Sequence, residues 1–278
     1  MVLRVTLTLW IRSDQVQKCH GKLPDGIFGG LGLPTPTHWF LQGKRGVGKS
    51  LAACLLAQCL PDKSFNVRCY DADPINSTFA SFAALTAAKV DLIEASDKGR
   101  RINPRRFDDL VEQIAGHPAE AHIIVDTGSS AFVPLVHYVV THEAPSILSQ
   151  GGHQLVVHTI VTGGQALVDT LHGAAQLVKQ LEDARFVVWL NPFWGPVALD
   201  GKTFEQMKVY QDIKKRIETV VNLPAFTDEL FPQDIASMLK SRLTFKEAIE
   251  SPDQSLMSRH RLKVAQREFY SRMDSLVV

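Results

Sequence analysis

A chain of 278 residues, 45% hydrophobic and 21% charged, can bury a sizeable core and is expected to form one large domain rather than two. Thirty Lys and Arg against 29 Asp and Glu leave a formal net charge of +1, which argues against a chain built mainly to coat nucleic acid. Its four cysteines, Cys19, Cys54, Cys59 and Cys69, form no CxxC, no HExxH occurs, and no apolar run reaches membrane-span length, so a reduced, cytoplasmic protein is expected.

Residues 1–37 open with a short alternating apolar stretch and end in Gly and Pro, and are expected to be a disordered extension of a domain spanning 38–278. HWFLQ, residues 38–42, reads as a short buried strand, and SLAACLLAQCL, residues 50–60, as a helix. Between them stands GKRGVGKS, Gly43 to Ser50, a match to the phosphate-binding loop G-x-x-x-x-G-K-[ST]. Gly43 and Gly48 allow a tight turn and close approach to oxyanions. The N–H groups of Lys44, Arg45, Gly46, Val47 and the residues up to Leu51 can then form an anion nest at a helix start. Lys49 is expected to reach the outer phosphates and the Ser50 hydroxyl to hold Mg²⁺. A glycine turn that binds nothing would have no use for Lys-Ser at the helix start.

FNVRCYD, residues 65–71, reads as the second strand and ends in Asp71-Ala72-Asp73-Pro74. Asp71 and Asp73 point the same way in an extended segment, so a cation or a water proton is needed between them, although a D-x-D-P turn forms on its own merits. Asn103-Pro104 opens a helix, with Asn as N-cap. HIIVD, residues 122–126, is a buried strand of Walker B form, so Asp126 joins Ser50 and Asp71 as a metal candidate. Residues 155–164 read as a long strand, and Leu167, Leu171, Ala174, Val178 and Leu181 as a helical stripe. RFVVWLN, residues 185–191, is a strand broken by NPFWGP. A helix over 204–217, a strand at ETVVNLP and a helix carrying Leu262, Ala265, Phe269, Met273 and Leu276 complete the chain. The alternation predicts an α/β fold in three layers: a mostly parallel sheet with helices on both faces, its ligand at the carboxyl ends of the strands.

GKRGVGKS resembles the deviant Walker A box, GKGGVGK[ST], of the MinD/ParA-type P-loop NTPases. YDADP resembles that family's segment after the second strand, HIIVD its second Mg²⁺-proximal aspartate, and VVWLN the strand whose terminal asparagine, here Asn191, recognises adenine. The longer strings FLQGKRGVGKS, DADPINSTF, SSAFVPL, HTIVTGGQALVDT, WLNPFWGP and KTFEQMK resemble the plasmid-encoded TraL family of conjugal transfer proteins. These resemblances imply an ATPase using ATP and Mg²⁺, working as an ATP-dependent homodimer alongside other conjugative transfer proteins. Lys49 and Asp73 would be catalytic, Asp73 orienting water, and Lys44 would reach the partner's nucleotide. Arg45 departs from the pattern, standing where the family has glycine and losing freedom at positive φ.

Two rivals stand beside this reading. A plasmid-partition ATPase would bind DNA non-specifically through Arg100, Arg101, Arg105 and Arg106 and through Arg259, Arg261, Lys263 and Arg267, against the bland reading of solvated charge. A nucleotide-switched interaction protein would have negligible turnover. The apolar face of the last helix reads as core packing rather than membrane attachment.

Overall fold

The computed structural model of the chain describes residues 34–96, 99–226 and 228–276. Its strands are β1 (Thr35–Phe40), β2 (Val67–Ala72), β3 (Ala88–Lys89), β4 (Ile93–Ser96), β5 (Gly99–Ile102), β6 (His122–Thr127), β7 (His153–Thr162), β8 (Arg185–Asn191), β9 (Ala198–Leu199), β10 (Lys202–Thr203) and β11 (Ile217–Asn222). Seven form one parallel sheet in the order β11-β8-β7-β1-β6-β2-β3, while β4–β5 and β9–β10 are separate antiparallel pairs. The helices are α1 (Lys49–Asp62), α2 (Arg105–Ala115), α3 (Phe132–Thr141), α4 (Ala144–Gln150), α5 (Leu167–Gln180), α6 (Lys208–Ile213), α7 (Leu230–Lys240), α8 (Phe245–Glu250) and α9 (Leu256–Ser271).

Alternation along each strand feeds two cores, because successive side chains leave opposite faces of the sheet. Trp39, Ile123 and Val125 pack with α2, α3, α4 and part of α5 on one face; Phe40, Ile124 and Trp189 pack with α1, α7, α8 and α9 on the other. Strands buried on both faces read as continuous apolar runs, which is why HIIVD and RFVVWLN were legible. The expected α/β architecture, with helices on both faces, is the one observed. Asn103 caps α2 as expected, its Oδ1 accepting the Arg105 N–H at 3.0 Å. Leu262, Ala265 and Phe269 of α9 are buried against α1 and α8, so this face is core. Among the described residues no helix is long and apolar enough to cross a membrane.

Three boundaries depart from expectation. The sheet takes in Thr35–Thr37, assigned above to the extension: the Thr35 N–H donates to Gly152 O at 3.0 Å, and pairing with β7 starts there. Pro36, which has no N–H, precedes the point where β6 joins at Thr37. The remainder of the expected extension, residues 1–33, lies outside the described residues. The helix expected over 204–217 is broken into a turn at Phe204–Gln206, the short α6 and a second turn at Lys214–Arg216, and Ile217 opens β11. The cause is a capping box on Thr203 that closes the first turn and leaves Met207 extended. No helix was expected over α3, whose FVPLVHYVVT is rich in β-branched residues; burial of Phe132, Leu135, Val136 and Val139 along one face overrides that propensity.

A row of histidines crosses the α1 face of the sheet. The Trp189 Nε1–H donates to His158 Nδ1 at 2.9 Å. His158 Nε2 lies 2.9 Å from His38 Nδ1, and His38 Nε2 lies 3.2 Å from His122 Nδ1. With Trp189 fixing the first acceptor, neutral rings satisfy the row only if each carries its proton on Nε2. Burial lowers all three pKa values, His158 to about 3. The unfolded chain takes up protons below about pH 6.5 where the fold cannot, so stability is full above that pH and is lost as pH falls toward the folded values. Each histidine adds up to ~1.4 kcal/mol per pH unit to the slope. The histidine row therefore pulls denaturation midpoints down between pH 6.5 and 5, and a His158→Gln variant should lose less stability over that range than wild type.

Candidate functional site

β1, β6, β2 and β8 all end on the same edge of the sheet, and the connections after β1, β2 and β6 build a cleft of about 340 Å³. It is lined by Arg45, Gly46, Gly48, Lys49, Ser50, Leu51, Asp73, Asn76, Thr78, Thr127 and Ser129. Register decides which acids meet. Phe40, the last residue of β1, aligns with Asp126 of β6, and Asp126 aligns with Asp71 of β2.

The loop from Gly43 to Gly48 turns through two positive-φ glycines, Gly46 at 71° and Gly48 at 103°. A Cβ on Gly48 would sit 2.8 Å from Asn191 Nδ2, so both its conformation and its neighbour exclude a side chain. Arg45 is not among the positive-φ residues, so the conflict expected from placing arginine there does not arise. Gln42 moors the loop from behind. Its Nε2 donates to Ile160 O at 3.0 Å and Thr170 O at 3.2 Å, and its Oε1 accepts the Lys44 N–H at 3.4 Å. The sequence signal for Gln42 was a fully buried polar residue ending an apolar strand.

Lys49 is nearly buried, its Nζ donating to Lys44 O at 3.2 Å. Burial lowers its pKa, and the charges of Asp126 and Asp73 oppose that while Arg45 adds to it. Asp126 is fully buried; among the described residues neither of its oxygens makes a hydrogen bond of good geometry, and the Ser50 hydroxyl is the donor that its carboxylate feels. Burial pushes its carboxyl up to about 7, helped by Asp71 and Asp73 and opposed by the Ser50 hydroxyl and Lys49. A buried carboxylate with a hydroxyl beside it supplies oxygen donors of the kind a hard cation takes, so Asp126 and Ser50 fit Mg²⁺.

Asp71 and Asp73 differ from Asp126. Asp71 is buried, but its Oδ1 accepts the Asp73 N–H at 3.0 Å and its Oδ2 the Ala80 N–H at 2.8 Å. Burial raises its pKa and those two donors hold it down. Each Asp71 oxygen thus accepts one N–H from its own loop and keeps a second lone pair. Asp73 Oδ1 accepts from Ile75 N at 2.9 Å and Asn76 N at 3.2 Å, and its Oδ2 from Asn76 Nδ2 at 3.1 Å.

Lys44 turns out of the cleft within its own protomer. Its Nζ lies 2.6 Å from Asp169 Oδ2 in the first turn of α5, and Lys44 holds the Asp169 carboxyl below the usual range. Asp169 was missed by sequence reasoning, since nothing in its spacing points to a loop 125 residues earlier. Asn191 is likewise tied: Nδ2 donates to Val47 O at 2.9 Å and Oδ1 accepts the Phe193 N–H at 3.1 Å. It borders an apolar cavity of about 360 Å³ whose other walls include Leu51, Pro192, Phe193, Leu223, Pro224 and Phe226. The segment after β11 was not anticipated as part of the site.

No family model matches the chain. Two curated relatives, each a Protein TraL of Escherichia coli, are 44% identical to it over 242 residues, 87% of this chain and 98% of their own length. The chain belongs to the TraL family. Among solved structures, the MinD cell division protein of Aquifex aeolicus is similar, with a TM-score of 0.51 at 13% identity over 87% of this chain and 97% of that one. The MinC:MinD complex of the same organism gives a TM-score of 0.51 over 87% of this chain and 96% of that one. This TraL-family chain therefore has the MinD-type P-loop NTPase fold.

Proposed function

We propose that this TraL-family chain binds and hydrolyses ATP and serves conjugative plasmid DNA transfer in the cytoplasm as a nucleotide-dependent dimer switch. The observation that carries the reading is the buried Asp126 carboxylate beside Ser50 and Lys49, two residues that line the P-loop cleft. The loop amides from Gly43 to Leu51 and the Lys49 ammonium hold phosphates. Ser50 and Asp126 hold Mg²⁺, and Asp71 fixes the neighbouring loop. When bound, the metal neutralises charge on the outer phosphate oxygens. Asp73, oriented by Asn76, positions the attacking water. The apolar cavity beside Asn191 takes the adenine.

Lys44 acts in trans once it leaves Asp169, and both members of that pair are about half exposed, so opening it costs little. Sizing with ATP and Mg²⁺ tests the reading: monomer should convert to dimer. Lys44→Ala should spare ATP binding and lose hydrolysis, whereas Asp169→Ala should leave both intact. Equal loss of binding in Lys44→Ala and Lys49→Ala would remove the separate role for Lys44. The DNA-binding rival loses Arg261, which is held by Asp234 in a largely shielded pair.

A further inference from the structure

We propose that Arg45 is a phosphate-facing cation acting within its own protomer, one that distinguishes a nucleoside triphosphate from a diphosphate. The inference rests on the ATP-binding reading and adds to it the residue that registers the third phosphate. Four observations lead there. Arg45 lines the cleft together with Lys49, Ser50, Asp73 and Asn76, and Lys44 does not. Lys44 instead spends its charge on Asp169 at 2.6 Å. Arg45 is exposed and, among the described residues, forms no ion pair, so its guanidinium is available at the mouth of the cleft. Its backbone avoids positive φ because Gly46 takes that conformation, so the side chain is carried without strain.

The chemistry suits the place. A guanidinium offers a planar fork of donors that pairs bidentately with phosphate oxygens and keeps its charge at every working pH. Its charge is felt at Lys49 across the cleft. In hydrolysis, the water oxygen bonds to the γ-phosphorus as the bond to the β,γ-bridging oxygen breaks. The electron pair leaves with ADP, and the water's proton passes by way of Asp73 to solvent. Negative charge spread over the γ-phosphoryl oxygens is what a fixed cation stabilises, and Arg45 provides it without waiting for a second copy of the chain.

The test is a binding comparison on the full chain, titrating β,γ-imido ATP and ADP, each with Mg²⁺, into wild type, Arg45→Ala and Arg45→Lys. Arg45→Ala should lose roughly tenfold or more in affinity for the triphosphate, the scale of one charge-assisted hydrogen-bond pair, with ADP affinity held within about twofold. Arg45→Lys should recover part of the loss, since it restores charge but not the fork. Because the side chain is exposed, the melting temperature of both variants should match wild type. Equal effects on the two nucleotides, or no effect on either, would overturn the proposal. If Lys49→Ala loses nucleotide while Arg45→Ala does not, the ATP-binding reading stands and Arg45 alone falls; if wild type binds neither nucleotide, both fall.

Discussion

Lys49→Ala should reduce ATP affinity by roughly a hundredfold or more, the combined scale of several lost charge-assisted contacts, while leaving the chain folded. Lys49 is nearly buried at the first position of α1, where its ammonium is held by the Lys44 carbonyl at 3.2 Å. Burial already lowers its pKa; Asp126 and Asp73 offset part of that cost, and an anionic ligand would offset more. Removing the side chain takes away the charge and that cost together, so circular dichroism and melting should change little. Fluorescent-nucleotide titration is the measurement, and wild-type affinity in the variant would mean that phosphate binds elsewhere.

Asp126→Asn should make the metal-free protein more stable and at the same time abolish its stabilisation by ATP with Mg²⁺. The folded carboxyl is pushed up to about 7 by burial with Asp71 and Asp73 nearby, against an ordinary value of 3.8. A raised carboxyl works against the fold as pH increases: the unfolded chain releases its proton near pH 4, the folded one only near 7. Stability is therefore lost across that window and stays low above it. The full shift corresponds to at most about 4 kcal/mol, and an uncharged amide of the same shape removes that burden. Metal binding relieves the same burden in wild type by pairing the carboxylate, which Asn cannot do. Thermal melts at pH 8, with and without ATP and Mg²⁺, should show the variant starting higher and failing to rise. A variant that melts lower than wild type without metal would mean that Asp126 is partnered in the resting protein.

Both predictions begin from residues that were legible in the chain. GKRGVGKS, HIIVD and DADP were read from local patterns because each couples a strand end to a turn with fixed chemistry, and that coupling survives folding unchanged. Asn103 capping α2 and the buried stripe of α9 were legible for the same reason. The helix expected over 204–217 was not, since the Thr203 capping box closes the turn and redirects Met207. Thr35–Thr37 were assigned to the extension because Pro36 reads as a break, whereas its place ahead of the β6 pairing lets the strand include it.

Sequence by itself determined that a P-loop motif would follow the first strand of a parallel sheet, because the loop's glycines, lysine and serine act through their own backbone and immediate neighbours. Only the tertiary structure decided what each charged group faces. The crossover from β7 to α5 brings Asp169 to Lys44 and draws that lysine aside. The turn after β2 engages Asp71 with the amides of Asp73 and Ala80, while its register partner Asp126 is buried and, among the described residues, receives no backbone amide. Arg45, the residue at odds with the family pattern, is left lining the cleft and, among the described residues, forms no ion pair. These pairings join residues far apart in the chain, and they depend on strand register and crossover position, which exist only once the sheet has formed.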